Sequence, residues 1–181
     1  MYQVFAKYLE IDGEPYVMEM LKKLDENTLT DKEGYEKLAG KLTVYSEKLY
    51  KDVLTGAYNR RYFEEKVKDM SVNAGIAVID LDDFKLCNDT YGHDGGDLVL
   101  TTVVKVIRHY IRRTDILVRY GGDEFLLILP GIEKEVFSQK LRMIQEKIHE
   151  THIPGFNRLI LSVSIGGAMF THGRMEEAIT K

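Results

Sequence analysis

The sequence predicts an α+β domain whose strands and helices follow the order β-α-β-β-α-β. Three observations carry this prediction. A continuous apolar run, "AGIAVID", ends in Asp80. Two further apolar runs flank Gly121 and Gly122 in "DILVRYGGDEFLLIL". The segments that separate these strands show the apolar spacing of amphipathic helices.

Each element has its own signal. Helix signals run from Asn59 to about Asp69, and "AGIAVID" then suits a strand buried on both faces because its apolar residues do not alternate. A polar loop follows, and then a helical stripe: Val99, Val103, Ile107, Tyr110 and Ile111. After the hairpin comes another helical face, made by Phe137, Leu141, Ile144 and Ile148, and then the strand "RLILSVSIGGAMF". This order matches the ferredoxin-like α/β sandwich, in which the first strand and the hairpin's second strand are central.

The segment before residue 52 follows other patterns. Residues 1–27 alternate around an Asp12-Gly13 turn, which is typical of a hairpin, and two strands alone bury too little to be a domain. Residues 28–51 predict a helix with a coiled-coil spacing at Tyr35, Leu38, Leu42, Tyr45 and Leu49. A short coiled coil and an amphipathic helix docked on its own domain both explain this spacing. We therefore divide the chain into residues 1–27, 28–51 and 52–181.

Composition restricts the class of protein. The 181 residues are 44% hydrophobic and carry a formal charge of -4, which suits a globular domain and argues against nonspecific nucleic-acid binding. No apolar run reaches membrane-spanning length, and the first residues do not resemble a signal peptide. Cys87 is the only cysteine, so no internal disulfide can form. We expect a cytoplasmic location, no membrane segment in this chain, and a packing role for Cys87.

Acidic residues lie where two of the predicted strands meet. In the predicted sheet, the end of the first strand lies beside the hairpin turn, which brings Asp80 close to Asp123 and Glu124. Two carboxylates about 4 Å apart repel by roughly 4 kcal/mol at an effective dielectric constant near 20. A divalent cation removes this repulsion, and oxygen ligands favour Mg²⁺ or Mn²⁺ over Zn²⁺. Surface acids on a solvated hairpin are the alternative.

A second polar cluster, "DLDDFKLCNDTYGHDGGD", begins at Asp80 and ends at Asp97. Glycine-rich backbone after a strand lets amides approach a phosphate closely, and Lys85 can supply a positive charge. Asn88 and Asp97 have the donors and acceptors that a purine edge needs. Simpler roles are open to the same residues, because Asn88 can cap a turn, Asp97 the following helix, and His93 can bond to the loop backbone.

Four motifs together resemble one family. "DVLTGAYNRR", "DLDDFKLCNDTYGHDGGD", "RYGGDEF" and "SVSIGG" occur in the order found in the GGDEF domain of bacterial diguanylate cyclases. The resemblance covers Asp52 to the end of the chain. It implies a fold similar to the adenylyl cyclase and polymerase palm. It also implies the condensation of two GTP into cyclic di-GMP with release of pyrophosphate.

The resemblance implies roles for individual residues. Asp80, the backbone carbonyl of Leu81 and Asp123 would bind Mg²⁺ or Mn²⁺. Asp123 or Glu124 would also help to deprotonate the attacking 3'-hydroxyl, and the resemblance leaves open which of them acts as the base. The substrate contacts are Asn88 and Asp97 at the guanine, His93, and, at the phosphates, Lys85 with the backbone amides of Asp83 and Phe84.

Assembly and regulation follow from the same resemblance. Because one domain holds one GTP, two domains must face each other, so we expect a homodimer in which the helix at residues 28–51 transmits a signal. Residues 1–27 resemble the end of a PAS-type sensor. Arg112 and Asp115 match the R-x-x-D of the family's inhibitory product site, although an ordinary helix end explains the same residues.

The family normally has a final helix whose Lys and Arg bind the triphosphate, and this sequence ends before such a helix. We therefore expect this chain to bind GTP poorly and to turn over slowly, if at all. A regulatory module that binds GTP or cyclic di-GMP without turnover is the alternative function, and a purely structural dimerisation unit is another. Asp80, Asp123 and Glu124 argue against the first. Asn88 and Asp97 argue against the second.

Overall fold

The computed structural model describes residues 2–11, 14–23, 48–156 and 158–171. The chain divides into two compact units, residues 1–47 and 48–181. In these described ranges, no helix is both long enough and apolar enough to cross a bilayer.

The first unit contains two antiparallel strands, β1 (Tyr2–Ile11) and β2 (Glu14–Lys23), which pair along their whole lengths. The Asp12-Gly13 turn predicted between them lies outside the described residues, as do the coiled-coil positions from Tyr35 to Tyr45. Leu49, the last of those positions, is helical and about two-fifths exposed. The coiled-coil interpretation therefore stays a prediction.

The second unit is built on a five-stranded mixed sheet. Its strands are β3 (Tyr58–Asn59), β4 (Ala74–Leu81), β5 (Ile116–Arg119), β6 (Glu124–Pro130) and β7 (Val163–Phe170). Their order across the sheet is β3-β5-β6-β4-β7, with β3 parallel to β5 and every other neighbouring pair antiparallel. Without the two-residue edge strand β3, this is the predicted ferredoxin-like order, and β4 and β6 are its central strands.

Helices cover both faces of this sheet. A short α1 (Arg60–Tyr62) continues as a π-helical segment, Phe63–Val67, while α2 (Phe84–Tyr110) and α3 (Lys134–His149) are longer. The Asn59 side chain caps α1 by accepting a hydrogen bond from the amide of Tyr62 at 3.0 Å.

The polar segment that we predicted as a loop before Val99 is helical instead. A single residue with non-helical geometry, Gly92 (φ 75°, ψ 172°), joins two helical pieces into α2. Glycine tolerates this positive φ, so the helix kinks there and does not end. Asn88 and Asp97 both lie inside α2, so the structure does not support the alternative roles in which Asn88 caps a turn and Asp97 caps a helix start.

Two apolar cores lie on opposite faces of the sheet. On one face, α2 and α3 pack against alternate residues of β4, namely Ala77, Ile79 and Leu81. On the other face, Phe63 and Val67 pack against Ala74 and Ile76. Burial on both faces explains why β4 reads as a continuous apolar run. Cys87 is 9% exposed and belongs to the first core, and burial raises the pKa of its thiol.

Candidate active site

The register of the central strands brings the predicted acidic residues together. Asp80 and Glu124 are directly paired across β4 and β6, and Asp80 is paired with Ser164 of β7 on its other side. Directly opposite residues of antiparallel strands project from the same face of the sheet. Asp123 is the residue just before β6. The end of β4 therefore lies beside the hairpin formed by β5 and β6, as the sequence predicted.

The acidic residues repel one another electrostatically. Partial burial raises the pKa of Asp80, and the nearby negative charges of Asp123 and Asp82 raise this pKa further. A divalent cation would reverse this effect by favouring the ionised carboxylates. Asp80, Asp123 and the carbonyl of Leu81 offer only oxygen atoms, so these residues fit Mg²⁺ or Mn²⁺.

A complete protein cage for a metal is not formed by the described residues. Within residues 2–11, 14–23, 48–156 and 158–171, no group of three or more His, Cys, Asp or Glu side chains is placed to hold one ion. Asp82, another carboxylate near Asp80, accepts hydrogen bonds from Ser162 and Ser164. Mg²⁺ usually takes one or two carboxylates and completes its shell with water and phosphate oxygens, so two carboxylates and one carbonyl suffice.

The turn between β4 and α2 contains the predicted phosphate-binding backbone. Leu81 ends β4 with its side chain buried, Asp83 precedes the helix, and Phe84 begins it. Asp83 has a φ of 53°, in the left-handed region that is uncommon for residues other than glycine. The free amides of a helix start and the positive end of its dipole favour an anion here. Lys85 is exposed in the first turn of α2.

The predicted guanine-binding residues lie near the kink of α2. Asn88 is half-buried and packs against Gly96, since a Cβ added to Gly96 would overlap the Asn88 side-chain oxygen. Asp97 follows Gly96 and is exposed, as is His93. The kink and the buried glycine thus bring Asn88 into contact with the residue next to Asp97.

The two glycines of the hairpin provide clearance. Neither Gly121 nor Gly122 adopts a positive φ, so left-handed geometry does not explain them. A Cβ on Gly121 would lie 2.7 Å from a carboxylate oxygen of Glu124 and 3.3 Å from its Cβ. Nothing lies within 4 Å of the corresponding position on Gly122, which leaves open space beside the acidic residues.

Arg119 joins this hairpin to the turn before β3. Its Nη1 donates to both carboxylate oxygens of Asp52, at 3.1 and 3.3 Å. Its Nε and Nη2 donate to the carbonyl of Gly122, at 3.1 and 2.7 Å. The Asp52 carboxylate also accepts hydrogen bonds from the amide and the hydroxyl of Thr55. One guanidinium therefore fixes the distance between two segments that are remote in sequence.

The predicted inhibitory residues lie at the opposite end of β5 from the hairpin tip. Four strand residues span roughly 13 Å. Arg112 and Asp115 line a cleft of about 300 Å³. Its other lining residues are Lys51, Tyr58, Arg108, Ile111, Arg113 and Leu117. The Asp115 carboxylate accepts a hydrogen bond from the Arg112 amide at 2.7 Å, so a turn-stabilising role and a cleft-lining role coexist.

Comparison with known proteins identifies the family. Residues 49–181 match the model of the family described as "Diguanylate cyclase, GGDEF domain". The chain belongs to the GGDEF domain family. It is 34% identical over 128 residues to the diguanylate cyclase DosC of Escherichia coli K12, a match that covers 66% of this chain and 28% of DosC.

A second relative and two solved structures agree with this assignment. The chain is 32% identical over 125 residues to the protein named "Probable diguanylate cyclase DgcC" of Escherichia coli K12, covering 65% of this chain and 34% of DgcC. The chain thus spans about a third of these relatives. The coiled coil and GGDEF domain of Caulobacter crescentus DgcB, solved with c-di-GMP, superpose with a TM-score of 0.70 at 26% identity, covering 81% of this chain and 83% of that one. Pseudomonas aeruginosa SiaD, solved with its activator SiaC, gives 0.68 at 27% identity, covering 82% and 61%.

Sequence reasoning missed two groups of residues in this GGDEF domain. The contact of Arg119 with Asp52 joins residues 67 positions apart, and the contacts of Asp82 with the two serines join residues 80 and 82 positions apart. The spacing of Ser162 and Ser164 was an available signal, because residues two apart on an extended segment face the same side. That Asp82 is the acceptor on that side follows only from the pairing of β4 with β7.

Proposed function

We propose that this GGDEF domain is a diguanylate cyclase, which condenses two GTP into cyclic di-GMP and releases two pyrophosphates. The pairing of Asp80 with Glu124, beside Asp123, is the observation that carries the proposal. This pairing collects the acidic residues at one end of the two central strands, next to a helix start that favours an anion.

The reaction assigns a task to each group of residues. Bound Mg²⁺ or Mn²⁺ supplies positive charge for the triphosphate. Asp80, Asp123 and the Leu81 carbonyl would hold that ion. The backbone amides of Asp83 and Phe84, together with Lys85, bind phosphate oxygens. Asp123 or Glu124 takes the proton of the 3'-hydroxyl that attacks an α-phosphorus, and pyrophosphate leaves.

Guanine recognition falls to Asn88 and Asp97, with His93 beside them. An amide and a carboxylate can together satisfy the donors and acceptors of one guanine edge. The exposure of Asp97 and His93 and the half-burial of Asn88 leave these groups accessible to a ligand.

We propose that the active form is a homodimer. One such site holds one GTP, so the two 3'-hydroxyls reach the two α-phosphates only when two domains face each other. In this proposal, residues 28–51 form the helix that sets the approach of the two domains, and residues 1–27 belong to a PAS-like sensor. Both assignments rest on the sequence patterns described above.

The direct test uses the protein at its full natural length. Incubation with GTP and Mg²⁺ should yield cyclic di-GMP and pyrophosphate, detected by liquid chromatography and mass spectrometry. A folded dimer that binds GTP and forms no product would reject the cyclase and support a regulatory module that binds nucleotide without turnover.

Gly96→Ala is expected to raise the KM for GTP about tenfold. The new Cβ would overlap the Asn88 side-chain oxygen and lie 3.2 Å from the Phe84 ring, so Asn88 must turn away from its present position. A factor of ten corresponds to about 1.4 kcal/mol, which is the scale of one lost polar contact. Initial-rate kinetics measure the effect. Gly166→Ala is the matched control, because nothing lies within 4 Å of its added Cβ. An unchanged KM in Gly96→Ala contradicts the assignment of Asn88.

Arg112→Ala is expected to relieve inhibition by added cyclic di-GMP, with at least a tenfold increase in the concentration that halves the rate. The guanidinium lines the cleft and can bind a phosphate or a guanine edge through paired donors. Rates at increasing product concentration measure this shift. Arg142→Ala on α3 removes an exposed arginine that does not line the cleft. Equal inhibition of the wild type and Arg112→Ala would reject the product site.

A further inference from the structure

Asp82 binds to the start of β7 through its side chain and its backbone. One carboxylate oxygen accepts a hydrogen bond from the Ser162 hydroxyl at 2.5 Å, and the other accepts from the Ser164 hydroxyl at 2.7 Å. The Asp82 amide donates to the Ser162 carbonyl at 3.1 Å. These three bonds extend the pairing of β4 with β7 beyond the last residue of β4. We call Asp82, Ser162 and Ser164 the serine clamp.

The serine side of the clamp is fixed to the protein core. Leu161 and Val163, the residues that alternate with the serines, are 3% and 2% exposed and belong to the core shared with α2 and α3. The side-chain amide of Gln145 on α3 donates to the Val163 carbonyl at 2.8 Å. The Nδ1 atom of His149, also on α3, lies 3.3 Å from the Leu161 carbonyl oxygen. The serines therefore present their hydroxyls from a rigid segment.

Asp82 holds a turn whose backbone has an uncommon conformation. It lies between Leu81, whose carbonyl is a proposed metal ligand, and Asp83, whose amide is a proposed phosphate ligand. The φ of 53° at Asp83 places this residue in the left-handed region. Such a conformation is less favourable for a residue with a Cβ than for glycine, so surrounding contacts stabilise it. The clamp supplies contacts directly next to Asp83.

We propose that Asp82 is a positioning residue, which acts through the backbone of Leu81, Asp83 and Phe84. The serine clamp presets the turn so that one carbonyl faces the ion and two amides face the phosphates. Both Asp82 oxygens are already occupied by hydroxyl donors, which distinguishes Asp82 from the proposed ligands Asp80 and Asp123. This inference rests on the proposed nucleotide site and deepens it.

The test measures binding as well as turnover in the full-length protein. In Ser162→Ala/Ser164→Ala, the affinity for a non-hydrolysable GTP analogue with Mg²⁺, measured by calorimetry, should fall about tenfold, and the KM for GTP should rise in parallel. Small misplacements of binding groups have effects of this size or larger. The midpoint of urea unfolding should stay close to that of the wild type, since both serines are exposed.

Three further variants separate positioning from other roles. Ser162→Thr/Ser164→Thr keeps both hydroxyls and should restore the affinity. Asp82→Asn can keep both bonds, because a serine hydroxyl also accepts from the new amide, so its affinity should stay within about threefold of the wild type. Ser138→Ala removes an exposed hydroxyl that bonds within α3, and should change nothing.

The outcomes separate the clamp from the cyclase. Unchanged affinity in the double alanine variant, or equal loss in the double threonine variant, overturns the positioning role. A large loss in Asp82→Asn with none in the double alanine variant overturns it also, because Asp82 would then act by its charge. If the wild type binds the analogue and the variants behave as expected, but no cyclic di-GMP forms, the proposed function is wrong and the positioning role of Asp82 is supported. If the wild type does not bind the analogue with Mg²⁺, both proposals are wrong.

Discussion

Asp123→Asn is expected to reduce cyclic di-GMP formation by about a thousandfold or more while the domain stays folded. The substitution keeps the shape of the side chain but removes one of the two carboxylates that we propose as metal ligands. Loss of such a charge at a metal site costs several kcal/mol of transition-state stabilisation, and each 1.4 kcal/mol is about a factor of ten in rate. Product formation from GTP, followed by chromatography, measures the effect.

The same variant should not lose stability when Mg²⁺ is absent. The negative charge of Asp123 contributes to the raised pKa of Asp80, so its removal relieves repulsion in the folded state. We expect the free energy of unfolding in EDTA to be equal to that of the wild type or slightly higher. Asp94→Asn is the matched control, because Asp94 is an exposed acid on α2 and its loss should affect neither rate nor stability. Near-normal product formation by Asp123→Asn would reject Asp123 as a ligand or base.

Arg119→Ala is expected to destabilise the GGDEF domain by about 2–3 kcal/mol, because it leaves the Asp52 carboxylate and the Gly122 carbonyl without their guanidinium donor. The ion pair is mostly shielded, with the side chains of Arg119 and Asp52 only 17% and 22% exposed. Urea unfolding monitored by circular dichroism measures the loss. Arg119→Lys keeps the charge but not the planar fork of donors, so an intermediate loss is expected.

An exposed ion pair provides the control for Arg119. Arg61 and Glu65 lie 2.6 Å apart on the surface, with side chains 59% and 40% exposed. Solvent screening limits such a pair to about 0–0.5 kcal/mol, so Arg61→Ala should change stability little. Equal losses of stability in Arg61→Ala and Arg119→Ala would show that the contacts of Arg119 stabilise the domain no more than an exposed ion pair does.

The Arg119 contact also has a pH signature. Burial raises the pKa of Asp52, but the hydrogen bonds from Thr55 and Arg119 and the charge of Arg119 outweigh burial, so the net pKa lies below the usual value of 3.8. The folded state therefore favours the ionised carboxylate. This stabilisation is complete above the unfolded pKa and disappears as the pH falls below 3.8 through the folded pKa. In acid titrations, Asp52→Asn should lose less stability than the wild type in that range.

Local sequence patterns predicted β4, β5, β6 and most of β7, but they missed the two-residue β3 and began the last strand at Arg158, where the structure begins it at Val163. The apolar run that becomes β4 has no alternation because both of its faces are buried, and that burial is found. The hairpin of β5 and β6 was also predicted from the sequence. Its two glycines do not adopt left-handed geometry; Gly121 avoids overlap with Glu124, and Gly122 leaves open space. The pairing of Asp80 with Glu124 followed once the strand order was inferred, because the order fixes which strand ends meet.

The polar half of α2 shows where local patterns fail. Its glycines, aspartates and asparagine have low helix propensity, so the segment reads as a loop. Gly95 and Gly96 are buried in the folded chain, and tertiary packing of this kind overrides weak intrinsic preferences. The helix extends to Phe84, and only Gly92 departs from helical geometry.

The sequence by itself determined the family, the order of the four main strands β4 to β7 and the identity of the acidic residues, because each depends on residue types and spacings within short segments. The tertiary structure alone decided that Arg119 reaches Asp52 and that Asp82 is held by Ser162 and Ser164. These contacts join residues between 67 and 82 positions apart. Periodicity describes which face a residue occupies but not what it meets there, and that partner is set by the register of the paired strands.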